Sequence, residues 1–128
     1  MSYKILFIIN AIVVFAFGLF LLVAPAAGLE QFRMNTRATD VFLARAVGAA
    51  LVSLGLVLFF AKDTDEAAQK FLGMAALAGA VLGLIVTLIG VGSKVIVANG
   101  WILIVVELLI ALGYAFVIFL QPRMQQPQ

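Results

Sequence analysis

Arg45 and Glu107 each lie inside a long apolar stretch of the 128-residue chain. Ionisable groups in such surroundings are rare and are functional candidates by default. Three kinds of chemistry fit them: a structural ion pair, a proton or ion path, and contact with a lipid or partner protein. Asn10 and Tyr114 are two further polar side chains set in apolar sequence, and a hydrogen bond between them is expected. Cysteine and histidine are absent. Their absence removes disulfides, zinc sites, iron–sulfur clusters and the usual histidine ligation of haem. Without a second carboxylate in the apolar stretches no catalytic constellation assembles, so the expectation is a protein that is not an enzyme and holds no cofactor or metal.

Gly90-Val91-Gly92-Ser93-Lys94 superficially matches a phosphate-binding loop. It lacks the Gly-x-x-x-x-Gly-Lys-[Ser/Thr] spacing and the strand-to-helix context, so nucleotide binding is not expected. The excess of basic residues is small, eight Lys and Arg against six Asp and Glu, and they are scattered. No nucleic-acid surface is implied.

The elements that position these residues follow from hydropathy. The chain is 66% hydrophobic and 11% charged, against about 45–50% and about 25% in ordinary soluble domains. So few charges cannot cover a water-facing surface of this size. About 20 apolar residues cross a hydrocarbon core of about 30 Å as a helix, and four runs reach that length. The spans fall at about 5–24, 40–61, 67–91 and 101–120. The first run is longer than the ~7–15-residue core of a signal peptide, so it reads as a span. Pro25 ends it.

The segment from Pro25 to Thr39 mixes Leu29, Phe32 and Met34 with Glu30, Arg33 and Arg37, as a segment at the lipid headgroups does. Asn35, Thr36 or Thr39 is expected to cap the second span, with Asp40 in its first turn. Asp63 followed by Glu66 resembles a capping box for the third span. Trp101 anchors the fourth at headgroup level, and the tail after Leu120 is expected to be a short exposed end. No repeat relates the two halves, which leaves the usual inverted-repeat transporter without support.

Short connections predict an all-α, integral membrane four-helix bundle of up-down-up-down topology, forming one domain over residues 1–128. Both termini then share a side with the Lys62–Glu66 loop, and Lys4, Lys62, Lys70 and Arg123 lie there against Arg33, Arg37 and Lys94 on the other. The positive-inside rule puts the four-cation side in the cytoplasm. In the third span Ala75, Gly79, Gly83 and Thr87 recur every four residues and make a small stripe, suited to close approach of a bundle helix or of a second protein.

Arg45 counts to about 8 Å below its interface and Glu107 to about 9 Å below the same one. The matching depths predict an Arg45–Glu107 contact, with the alternatives of a polar path or partner contact left open. The twelve Val, Leu and Phe residues from Val41 to Ala61 favour insertion despite Arg45, which is expected to turn away from lipid.

The Pro25-Ala26-Ala27-Gly28 break, the Ala44-Arg45-Ala46-Val47-Gly48-Ala49 segment and the Asn99-Gly100-Trp101 start of the last span resemble features of small four-helix bacterial membrane proteins, including the DoxX-like group. The likeness covers most of the chain and implies a multi-pass protein of the bacterial inner membrane; it transfers no catalytic residue. Small multidrug transporters and fluoride channels are similar in size. The first carry their glutamate in the first helix, where this chain has Asn10, and the Gly-rich and Thr/Phe-rich signatures of the second are missing. The functional expectation is a non-catalytic accessory or scaffold subunit, in contact with membrane lipids and with other membrane protein subunits or its own copies. The alternative is a small oligomeric transporter or channel with Arg45 and Glu107 in a polar path.

Overall fold

A computed structural model describes residues 2–120. The expected exposed tail, 121–128, lies outside the described residues. The protein is all-α: five helices, four of them long and apolar enough to cross a membrane, with no strand among the described residues.

Helix α1 (Tyr3–Val23) starts at Ser2, whose hydroxyl accepts from Ile5 N at 3.3 Å. It breaks at Ala24, and Pro25 takes the first turn of the short helix α2 (Pro25–Gln31). A proline is favourable there because its missing N–H has no intrahelical partner to lose. Helix α3 (Ala38–Ala61) has Arg37 as its N-cap. None of the three residues expected to cap it does so. Instead Asp40 in the first turn accepts from Arg37 N at 3.3 Å and satisfies an orphan donor.

The next turn is pinned by Lys62, which donates to Asp63 at 2.7 Å. That hydrogen bond and the ammonium charge hold the Asp63 carboxyl below its usual range. Helix α4 (Glu66–Gly92) is capped by Asp65, which accepts from Ala68 N at 2.8 Å, so the cap falls two residues after the expected Asp63. Helix α5 (Gly100–Ala115) continues as a π-helical turn over Phe116–Leu120.

The four spans form two antiparallel pairs. Helix α1 packs most extensively on α3, and α4 packs on α5, whereas α3 and α4 barely touch. Glycines explain the first pair. A Cβ on Gly48 would lie 2.7 Å from Gly18 O and 2.6 Å from Leu22 N, and one on Gly18 would lie 2.8 Å from Gly48 O. Gly55 approaches Ala11 O in the same way, at 3.2 Å. The two backbones therefore meet along a seam seven residues long on each helix, a spacing that returns to the same helix face.

The pairs join at the end carrying the Lys62–Asp63 turn. Leu6, Phe7, Leu58, Ala61, Tyr114 and Val117 form a buried cluster there, with Phe7 and Tyr114 fully enclosed. At the opposite end a smaller cluster of Leu21, Leu29 and Ala44 holds α2 under the first pair only. The loops at that end are tied by hydrogen bonds. Phe32 O accepts from Val97 N at 2.9 Å and from Ala98 N at 3.1 Å, and the Asn99 side chain donates to Gln31 O at 2.6 Å. Arg33, Lys94 and Asn99 all adopt positive φ, at 51°, 63° and 60°. That conformation costs a non-glycine residue of order 1 kcal/mol.

Large side chains cover the outside. Phe42, Phe60, Phe71 and Trp101 are each about two-thirds exposed in the isolated chain. Lipid supplies the surroundings that water would not. The molecule is a small multi-pass helical membrane protein, and its outer surface contacts lipid.

Candidate functional site

Four polar groups lie within the spans at positions that matter, and the fold sorts them into three separate arrangements. Asn10 Nδ2 donates to Tyr114 Oη at 2.9 Å, joining α1 to α5 inside the bundle. Both residues are buried. Aromatic packing of Phe7 against Tyr114, with ring centroids 6.1 Å apart, fixes the phenol from the side. The expected hydrogen bond between the first and fourth spans is present.

Arg45 and Glu107 are not brought together. Arg45 is exposed on α3, and its Nε donates to Leu22 O at 3.2 Å. Leu22 belongs to the last turn of α1, where carbonyls lack an i+4 partner and the helix dipole is negative. The Ala24–Pro25 break thus creates an acceptor beside Arg45. The long side chain reaches it along the surface, leaving the core to apolar groups. The expected pairing of Arg45 with Glu107 is corrected: each has a separate partner, and Arg45 is exposed in the isolated chain.

Glu107 finds its partner on α4. Thr87 Oγ1 lies 2.9 Å from Gly83 O and 3.1 Å from Glu107 Oε1. A hydroxyl has one proton, so both contacts are hydrogen bonds together when Thr87 donates to the carbonyl and the glutamic acid donates to Thr87. The second carboxyl oxygen, Oε2, is buried and has no hydrogen-bond partner. It stands beside a cleft of about 330 Å³ between α3 and α4, lined by Asn10, Leu54, Leu58, Ala76, Gly79 and Gly83 among others.

The small stripe of α4 splits along its length. Gly83 faces the Glu107 carboxyl, 3.3 Å from where its Cβ would be, while Gly79 has nothing within 4 Å. The Gly83–Thr87 half of the stripe therefore meets α5 of this chain, and a Cβ at Gly79 would meet nothing. The close contact inside the bundle falls on Gly18, Gly48 and Gly55, and two of these were not singled out in the sequence. The available signal was the repeat of small residues at seven-residue spacing, Ala11 with Gly18 and Gly48 with Gly55.

Comparisons of the chain with protein families, with curated proteins and with solved structures give no match. No group of three or more metal-ligating side chains occurs among the described residues.

Proposed function

We propose that the protein is a non-catalytic accessory or scaffold subunit that packs against a larger membrane protein complex. The observation that carries this reading is α4. Its apolar stretch has 6% of residues buried within the chain, against 22–33% for the other three spans. A Cβ added to its exposed Gly79, which borders the α3–α4 cleft, would meet nothing within 4 Å. A glycine in a helix costs of order 0.5–1 kcal/mol relative to alanine. A partner helix returns that cost, because helix association in lipid depends on small residues that admit a neighbouring backbone.

The reading includes residence in a bacterial inner membrane with both termini in the cytoplasm, in keeping with the DoxX-like resemblance and the Lys and Arg distribution. The test is purification from the native source in a mild detergent, comparing wild type with Gly79→Leu. Wild type is expected to co-purify stoichiometrically with a larger complex, and Gly79→Leu to fold but lose that association. A wild-type protein that emerges alone refutes the proposal.

A second reading is favoured by Glu107 Oε2, an unpartnered oxygen beside the α3–α4 cleft. In that reading the protein is a small oligomeric transporter or channel whose polar path runs by Glu107 and Asn10, with Arg45 outside it. Flux in proteoliposomes that Glu107→Leu abolishes supports this reading; no flux from a stable oligomer removes it.

A further inference from the structure

We propose that the loop end of the bundle binds an anionic phospholipid, with its phosphate at Arg33 and Lys94 and an acyl chain between the two helix pairs. A half-enclosed cavity of about 610 Å³ opens there. Its volume lies within the ~300–1,000 Å³ usual for small-molecule sites. Phe17, Leu21 and Val47 of the first pair and Val86 and Leu103 of the second form its apolar walls. Val86 is six residues before the end of α4 and Val47 is nine after the start of α3. At ~1.5 Å per residue the cavity reaches roughly 9–14 Å below the helix ends, within acyl-chain territory.

Its mouth is polar. Arg33, Lys94, Asn35 and Asp40 line it, two cations against one carboxylate. Asp40 is engaged, accepting from Arg37 N. Neither Arg33 nor Lys94 forms a salt bridge among the described residues.

Backbone conformation places both cations. Arg33 follows the end of α2 and Lys94 the end of α4, each at positive φ in a position that glycine or asparagine usually takes. The backbone bonds Met34 N to Leu29 O, at 3.0 Å, and Val95 N to Gly90 O, at 2.9 Å, close the two turns. Phe32 O ties one loop to the other. Two independent helix ends thus spend unfavourable backbone conformations to hold a guanidinium and an ammonium over one apolar cavity. A guanidinium takes a phosphate with two parallel donors, and an ammonium takes it as a point charge. An anionic head on an apolar chain satisfies both halves of this site. A free phosphate satisfies only the mouth.

The experiment uses the purified full chain in nanodiscs of phosphatidylcholine with increasing phosphatidylglycerol of the same acyl chains. Native mass spectrometry reads retained lipid, and thermal unfolding reads stabilisation. Phosphatidylglycerol is expected to be retained about tenfold over phosphatidylcholine. The double variant Arg33→Gln with Lys94→Gln should lose that preference while circular dichroism stays helical, and Arg37→Gln, on the same side but outside the cavity lining, should keep it. Equal retention of the two lipids by wild type overturns the proposal, as does an equal loss in Arg37→Gln, which would make the effect general surface charge. Stabilisation of detergent-solubilised protein by inorganic phosphate to the same extent would assign the mouth to a free anion and overturn the lipid. If the double variant fails to fold, the wild-type retention ratio alone decides.

Discussion

Asn10 and Tyr114 show how a single hydrogen bond acts where water is absent. The Asn10 amide donates to the phenol at 2.9 Å, and neither group has solvent to turn to. Interhelical hydrogen bonds in membranes contribute about 0.6 kcal/mol on average and up to about 1.7. Tyr114→Phe is therefore expected to lower unfolding free energy by about 1 kcal/mol in a reversible denaturation assay. Combined with Asn10→Leu, it should cost less than the sum of the two. Arg45 and Glu107, in contrast, have different partners, Leu22 O and Thr87. In a cycle of Arg45→Leu and Glu107→Leu the free-energy changes should add to within about 0.5 kcal/mol. Recovery of stability in the double variant would reinstate the ion pair. If Glu107 is protonated and donates to Thr87, Glu107→Gln is expected to leave stability unchanged within about 0.5 kcal/mol, because the amide N–H can donate in its place.

At the scale of elements, glycines have opposite roles on α3 and α4. Gly48 meets the backbone of α1 at less than 3 Å from where its Cβ would lie, and a backbone atom cannot swing away as a side-chain tip can. Gly48→Ala is expected to force α1 and α3 apart at a cost of about 1–3 kcal/mol, read as a lowered unfolding midpoint. Gly79→Ala meets open space. It should leave the isolated protein as stable as wild type or up to about 1 kcal/mol more so, since alanine is the better helix former. A destabilised Gly79→Ala variant in the isolated chain would mean that α4 packs against α3 more closely than the cleft between them allows.

For the whole molecule, the two pairs close at one end and part at the other. The Phe7–Tyr114 cluster seals the end with the Lys62–Asp63 turn, and the 610 Å³ cavity occupies the end with the Phe32 and Val97 loops. Four spans put Tyr3 and Leu120 on the sealed side with the Lys62–Asp63 turn, and the sequence-based expectation assigns four of the seven flanking Lys and Arg residues to that side. Reporters fused after Asp63 and after Gln128 should both read cytoplasmic. Opposite readings would remove the four-span topology, and two external readings would reverse the orientation while preserving it.

The number of spans and their approximate limits were legible because each is a local property. A run of apolar residues must be helical in lipid to satisfy its own backbone, and Pro25 ends the first span through its own backbone, whereas the cap of α4 fell on Asp65 and not on the expected Asp63. The Asn10–Tyr114 bond was legible for a related reason: depth along a helix converts directly to residue count. Depth alone was insufficient for Arg45 and Glu107. Two residues at one level of a bundle can lie on any faces of their helices, and rotation about a helix axis is decided by what packs best. Here Gly18 and Gly48 lock α1 to α3, leave Arg45 beside the freed Leu22 carbonyl, and put Glu107 against Thr87 on the other pair. The sequence by itself determined an all-α chain with four membrane spans. Only the tertiary structure decided which faces meet, because small-residue contacts and carbonyls freed at a helix break depend on azimuth, which hydropathy does not encode.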